Sequence, residues 1–414
     1  MSTPATESPL AKVRRLFGEH MALDIDDLGV VDFVLATVVA VWHPCCQEIP
    51  WGYIVSPPGS GKTEATRPLK DYPGCIFVSS PTENALISGH KSENGEDPSL
   101  IALLDKKTIV IKDLTPVISG NPQKTAKILG DYRDAFDGFC SKASGTAGLR
   151  SYEATFGVLA AVTDMIDKFT EDFQQLGERF LTFRMNRIQH PFLKRREHLR
   201  HVTRAMPHKD KWRKVLADAM IEAIEDTKKT TVARPLPAQP EEIETCVLTM
   251  ADVVAQLRTS TVGGNATSSE VATRLSQQLT SLAAGRIYCD DRNEWNEDDL
   301  SFIRRICIDT LSLPRRRVAM ALYYRFARST DYMTANQIAN KCSGVTVHSV
   351  LDFMTQWVHV GLVDKFILKS TSTYRLSPEG YESLHMTGMF DPGPHFPSHP
   401  SNINKGEVLC QKKQ

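Results

Sequence analysis

Apolar positions recur at two different periods along the chain, and the switch between them organises it. Leu10, Val13, Leu16 and Phe17 fall on one face at helical spacing, and a second, almost wholly apolar helix is predicted from about Asp26 to Trp42. Five short apolar runs follow, at 51–55, Cys75–Ser79, Thr108–Lys112, Phe156–Val162 and Phe180–Met185. Helical spacing returns between several of them, as at Gln123–Asp137. Strands that are apolar throughout are buried on both faces, so the expectation is an α/β core with a mainly parallel sheet covered by helices on both sides.

Beyond Arg187 the pattern becomes helical with polar connections. Helices are predicted at Phe192–Met206, Trp212–Asp226, Ser269–Ala284 and Glu297–Leu311, with a linker at Thr227–Glu242 and a loop at Thr259–Ser268. From Pro314 a compact helical unit begins. Val347, Val350, Leu351, Met354 and Val358 repeat at helical spacing and are expected to face a core, Gly361 stops that helix, and Val363–Leu368 with Thr373–Leu376 form a hairpin. This order predicts a winged helix-turn-helix. Its second helix would present Thr346, His348, Ser349, Asp352, Thr355 and Gln356 to a DNA groove, with Arg315, Arg316, Arg317, Lys365, Lys369 and Arg375 left to attract phosphates. The divisions expected are N-terminal helices (1–45), an α/β core (46–190), a helical unit with an inserted linker (191–312), the winged unit (313–382) and a disordered tail (383–414).

Length and charge narrow the picture modestly. A chain of 414 residues is too long for one ordinary core. Lys and Arg balance Asp and Glu at 49 each, so bulk attraction to nucleic acid or to an anionic membrane is not expected, although a local basic surface is allowed. Nine cysteines without a repeated CxxC spacing fit reduced thiols in a cytoplasmic protein. His43 beside Cys45 and Cys46 offers metal-binding side chains, but no second ligand pair follows, and burial is the expectation. The polar N-terminus gives no sign of a signal peptide, and the most apolar stretch, Phe33–Trp42, is half the length of a membrane span.

The candidate chemistry starts at Ser56-Pro57-Pro58-Gly59-Ser60-Gly61-Lys62-Thr63, between a strand-like run and a helical one. Glycines let consecutive amides turn toward phosphate oxygens, and the N-terminus of the helix read from Glu64 adds a favourable partial positive charge. Lys62 would neutralise the terminal phosphates and Thr63 would ligate Mg2+ of a bound ATP. Asp113, ending an apolar run, is the second candidate metal ligand, but Leu114 stands where a water-activating acid is expected. Glu83 either supplies that carboxylate or caps a local turn. Thr163 ends the run Gly157–Val162 and could reach the attacking water, and Arg179 precedes the last strand, where a cation can act on a neighbour's nucleotide.

In order and spacing these residues resemble an AAA+ ATPase, and within that class the minichromosome-maintenance helicases and their relatives in phages and mobile elements. Leu100–Asp105 resembles the segment before their magnesium-binding strand, and Leu159–Thr163 their sensor-1 strand, with Thr163 in place of Asn. Glu178-Arg179-Phe180 is similar to their arginine-finger motif. The resemblance implies a DNA-touching hairpin carrying Lys142, and a lid whose sensor-2 residue is Arg274. It implies an α/β P-loop AAA+ core with a helical lid and a C-terminal winged helix, acting on DNA as a homo-oligomeric, hexameric ring. Two other readings stay open: an ATP-gated transcription regulator whose winged helix reads an operator or docks a partner, and a nucleotide-binding scaffold with little turnover.

Overall fold

The computed structural model describes residues 7–21, 23, 25–88, 97–145, 148–172, 179–185, 192–262, 266–268 and 271–391. Two helices, α1 (Pro9–Met21) and α2 (Ile25–Trp42), precede a five-stranded sheet made from β1 (Trp51–Val55), β2 (Cys75–Val78), β3 (Thr108–Ile111), β6 (Gly157–Val162) and β7 (Phe180–Arg184). Between them lie α3 (Lys62–Thr66), α4 (Thr115–Ile118), α5 (Pro122–Phe136), the hairpin β4 (Phe139–Ser144) and β5 (Gly148–Glu153), and α6 (Met165–Asp172). The strand order is β2-β3-β6-β1-β7, and every neighbouring pair is parallel. The protein is therefore α/β, as the apolar runs predict.

Side chains alternate across each strand, and both faces are filled. Ile54, Val110, Leu159, Leu181 and Phe183 join one core with α2, while Trp51, Tyr53, Val55, Ile109, Ile111, Val158 and Ala160 join a second core with Ile128 and Tyr132 of α5. An element apolar all round must be enclosed, and α2 is pressed between the sheet and α10 (Thr273–Cys289). The approach is backbone to backbone: a Cβ on Gly285 would stand 2.2 Å from the carbonyl oxygen of Ala36.

After the sheet come α7 (Phe192–Ala205), α8 (Lys209–Thr231), α9 (Glu241–Arg258), the short hairpin β8 (Ser260–Val262) and β9 (Ala266–Ser268), α10, and α11 (Glu297–Thr310). Two expectations are corrected here. The polar stretch 227–242 is a linker only over 232–240: α8 continues to Thr231, with Thr227 and Thr231 buried and their hydroxyls donating to the carbonyls of Ala223 and Thr227 at 2.7 Å, and α9 begins at Glu241. Residues 259–268 are not wholly a loop, because β8 and β9 pair there; Gly263, Gly264 and Asn265 lie outside the described residues.

The last unit holds α12 (Leu313–Phe326), β10 (Met333–Thr334), α13 (Ala335–Lys341), α14 (Val347–His359), β11 (Val363–Leu368), β12 (Thr371–Leu376) and α15 (Pro378–Thr387), with an antiparallel sheet in the order β10-β12-β11. It is docked on α9: Trp357 Nε1 donates to the Leu257 carbonyl at 3.1 Å, and the two regions share one core. The buried face of α14 is Val350, Phe353, Met354 and Trp357. Leu351, expected inside, is 40% exposed, because two aromatic side chains one step round the helix fill the core instead. The tail expected from 383 also begins later, since α15 reaches Thr387 and both Met389 and Phe390 are fully buried. Residues beyond Asp391 lie outside the described ones.

Candidate phosphate-binding site

The chain leaves β1 for β2, three places away, then returns through β3 and β6 and passes over β1 to β7. Such a reversal opens a crevice at the carboxyl ends of the strands. The loop 56–61 lies there, rooted by Ser56 N, which donates to the Val162 carbonyl of β6 at 3.2 Å. Gly59 and Gly61 adopt φ of 77° and 96°, values that a residue with a Cβ resists. Ser60 Oγ donates to the Pro57 carbonyl at 2.8 Å and braces the turn. Among the described residues, the N–H groups of Gly59, Ser60, Gly61, Lys62 and Thr63 donate to no protein acceptor. The next two amides, Glu64 and Ala65, are both taken by Gly61 O, at 3.0 and 3.1 Å. Five consecutive open donors on a glycine turn give a stretch of partial positive charge suited to an anion.

Lys62 Nζ donates to the carbonyls of Ser56 and, at 3.0 Å, Pro57. Burial pushes its pKa below the ordinary lysine value, and the charges of Asp113 and Asp164 push it back up. Each of these acids stands two residues past the end of its strand, β3 or β6. Asp113 Oδ1 accepts from Thr115 N at 2.9 Å, and Thr115 Oγ1 accepts from Thr163 N at 3.1 Å. Among the described residues, the hydroxyls of Thr163 and Ser56 are buried without a hydrogen-bond partner. The charge of Asp113 thus acts on Lys62, and Thr115 ties Asp113 to Thr163 at the carboxyl ends of β3 and β6. Asp164 was missed; its signal was an acid in the same place after β6 that Asp113 holds after β3.

Several other expected residues lie elsewhere. Glu64 is held by Arg213 of α8 at 3.0 Å and by Arg67 at 3.4 Å, so neither its amide nor its carboxylate is open to a nucleotide. Glu83 follows β2, three strands and roughly 14 Å across the sheet from β1 at ordinary strand spacing, and pairs with Lys124 and Lys127 of α5 at 3.4 and 3.5 Å. Leu114 is buried, so nothing at that position substitutes for the missing acid.

Arg179 precedes β7, which runs parallel to β1 with Trp51 opposite Phe180 and Val55 opposite Arg184. It therefore stands at the amino end of the sheet, roughly 16 Å of strand from the loop. Arg274 is beside it. Both guanidiniums lie over Phe136, at 5.4 and 5.5 Å from the ring centre, and both approach Asp137, at 3.8 and 3.5 Å. Burial, then the charge of Arg274, lowers the pKa of Arg179. Arg274 is thus corrected as a contact to the nucleotide of its own chain. Leu176, Gly177 and Glu178 lie outside the described residues.

The expected DNA contacts divide. Lys142 does sit on a hairpin, but its ammonium pairs with Asp131 of α5 at 2.7 Å. Arg315 is 3% exposed, donating to the Leu257 and Thr259 carbonyls and to Gln356 at 2.7 Å, while Arg316 is bound to Asp309 at 3.3 Å. Neither arginine can face a phosphate backbone, and Gln356 is buried with Arg315. Lys365 and Lys369 are exposed on either side of Phe366, Ile367 and Leu368, which are 53%, 64% and 56% exposed.

Among the described residues, no helix is long and apolar enough to cross a membrane. No protein-family model matches the chain, and comparison with curated proteins finds no match.

Proposed function

We propose that this chain is a P-loop ATPase of the AAA+ type, in which the loop 56–63 holds the phosphates of Mg-ATP at the carboxyl edge of the sheet. The observation that carries the reading is the run of five open amides from Gly59 to Thr63, with the Lys62 ammonium turned onto the Ser56 and Pro57 carbonyls of the same loop and supported by the charges of Asp113 and Asp164. The residues suit the group. Thr63 and Asp113 offer the hard oxygen ligands that Mg2+ takes, and Ser56 and Thr163, which directly follow β1 and β6, hold buried hydroxyls without a partner among the described residues, just beneath the same edge. Bound Mg2+ would neutralise phosphate charge. Lys62 would add a fixed cation, and Thr163 would hold a water by its hydroxyl. Asp164 is better placed than Glu83 to accept that water's proton, because it follows β6, the neighbour of β1, and its charge acts on Lys62, whereas Glu83 is engaged by two lysines of α5.

The position of Arg179 supports assembly into a ring. A guanidinium at the amino end of the sheet cannot reach the loop of its own chain, so any role at a phosphate is exercised on a neighbouring copy, with Arg274 beside it. ATP hydrolysis should then rise faster than linearly with protein concentration, and Arg179→Ala should abolish it without weakening nucleotide binding. A strictly linear rate with full activity in Arg179→Ala would contradict the ring.

Action on DNA as a helicase or translocase rests on the resemblance, with Lys365 and Lys369 of the winged unit as the cations free to take part. The apolar wing between them favours the second reading, in which this unit docks a protein partner and regulates the ATPase. Stimulation of hydrolysis by DNA that is lost in Lys365→Glu/Lys369→Glu would support the first reading, and unchanged stimulation in that variant would count against this surface.

A further inference from the structure

The turn joining α2 to β1 carries His43, Cys45 and Cys46, whose ligand atoms all lie within 4.8 Å of one another. His43 is 2% and Cys46 6% exposed, while Cys45 is partly exposed and opens the cluster to solvent. The imidazole is set by its surroundings. Its Nε2 is 2.8 Å from the Thr231 carbonyl at the end of α8. A carbonyl only accepts, so Nε2 carries the proton and Nδ1 keeps its lone pair. That lone pair faces Cys45 Sγ at 3.0 Å. The ring of Tyr288, on α10, stacks on the imidazole with centroids 4.2 Å apart, and its hydroxyl is 3.0 Å from the same sulfur. Cys46 Sγ is hydrogen-bonded to the Cys45 thiol and makes a long contact, 3.8 Å, to the Ser281 carbonyl.

We propose that His43 Nδ1, Cys45 Sγ and Cys46 Sγ form a binding site for a thiophilic divalent ion, zinc above all, with the Tyr288 oxygen in reach of the fourth position. A histidine whose distal N–H is anchored on a backbone carbonyl is oriented as metal-bound imidazoles are. Zinc bonds of about 2.3 Å to sulfur and about 2.0–2.1 Å to nitrogen set tetrahedral ligand atoms roughly 3.6 Å apart, a spacing between the 3.0 Å of the Cys45–His43 pair and the 4.8 Å that bounds the cluster. Charge also balances. The ion displaces two thiol protons to solvent, and two thiolates with Zn2+ leave a neutral site in a largely buried pocket. A Cys45–His43 nucleophile would leave the second thiol without a role, whereas an ion uses all three donors. The site would clamp the connection that feeds β1, and through it the phosphate loop, against α8 and α10.

The test is titration of Co2+, then Zn2+, into the full chain under reducing conditions. The expected result is one thiolate-to-cobalt charge-transfer band that saturates at one equivalent and is bleached by zinc. Cys45→Ser and Cys46→Ser should each weaken cobalt binding at least tenfold, and Cys75→Ser, a buried thiol on β2, should leave it unchanged. Zinc should raise the melting temperature of the wild type but not of Cys45→Ser. If Cys46→Ser fails to fold, the partly exposed Cys45→Ser decides. Absence of the band at one equivalent, or its survival in Cys45→Ser, overturns the proposal. So does alkylation of Cys45 at a rate that zinc does not slow, which would assign the pair as a bare nucleophile.

Discussion

Gly61 holds φ at 96° directly before Lys62, and an alanine there would carry a Cβ into a conformation costing about 1–2 kcal/mol. Gly61→Ala should therefore lower the melting temperature slightly and weaken nucleotide binding more than tenfold, as read by titration; unchanged affinity would show that the loop's shape is not what binds. The acids beside Lys62 allow a sharper test. Binding needs the ammonium, so affinity should fall as pH rises through the depressed pKa of Lys62. Asp164→Asn removes a charge that supports the ammonium, and should shift that alkaline limb to lower pH. The same variant should slow hydrolysis by roughly 100-fold or more while ATP still binds, the loss expected for a general base. Glu83→Gln should do neither. Equal effects of the two substitutions on turnover would remove Asp164 from the proposed role. At this scale the sequence was legible where a residue's setting is local. Gly59 to Thr63, Asp113 and Thr163 sit at the ends of strands visible as apolar runs. Arg315 was not legible: three arginines at a helix start resemble a phosphate-binding face, but the acceptors of Arg315 are Leu257, Thr259 and Gln356, far away in sequence.

Strands and helices followed the periodicity closely because strands buried on both faces have no polar positions to blur their limits. The faces of helices were harder to read. On α14 the sets 347/350/351/354/358 and 350/353/354/357 both fit helical spacing, and only packing selects Phe353 and Trp357 over Leu351. The polar end of α8 looked like a linker by composition, yet threonine hydroxyls satisfied within the helix let it run on buried. α10 meets α2 backbone to backbone at Gly285. Gly285→Ala would drive a methyl into the Ala36 carbonyl, and a destabilisation of about 1–3 kcal/mol, the usual range for overpacking, is expected in chemical denaturation. An unchanged midpoint would mean that the two helices separate without cost.

Across the whole molecule, charge stitches the N-terminal helices to the helical region that follows the sheet. Arg286 is 4% exposed and joins Asp32 of α2, at 2.8 Å, to Asp299 of α11, and both carboxylates are fully buried. Arg14 adds a second guanidinium to Asp32 at 2.6 Å, and Arg292 one to Asp299 at 2.8 Å. Arg286→Met would leave the two acids short of a counter-charge, at a cost of about 3–5 kcal/mol; a loss under 1 kcal/mol in denaturant titration would contradict that. The link across the molecule could not be read from the chain, since Arg286 and Asp32 are 254 residues apart. The same holds for Arg179 and Arg274, which meet over Phe136 and make an assembly testable. Lys62→Ala and Arg179→Ala should each be inactive alone, but mixing them should restore part of the activity through interfaces that carry one intact half from each copy.

The central claim is that five open amides and Lys62 grip the phosphates of ATP. Its most direct test is calorimetric titration of Mg-ATP into the folded full chain and into Lys62→Ala. Saturable heat near one ATP per chain, lost in the variant while its melting curve stays intact, is the expected result. No heat with the wild type, or equal heat with both proteins, would contradict the account.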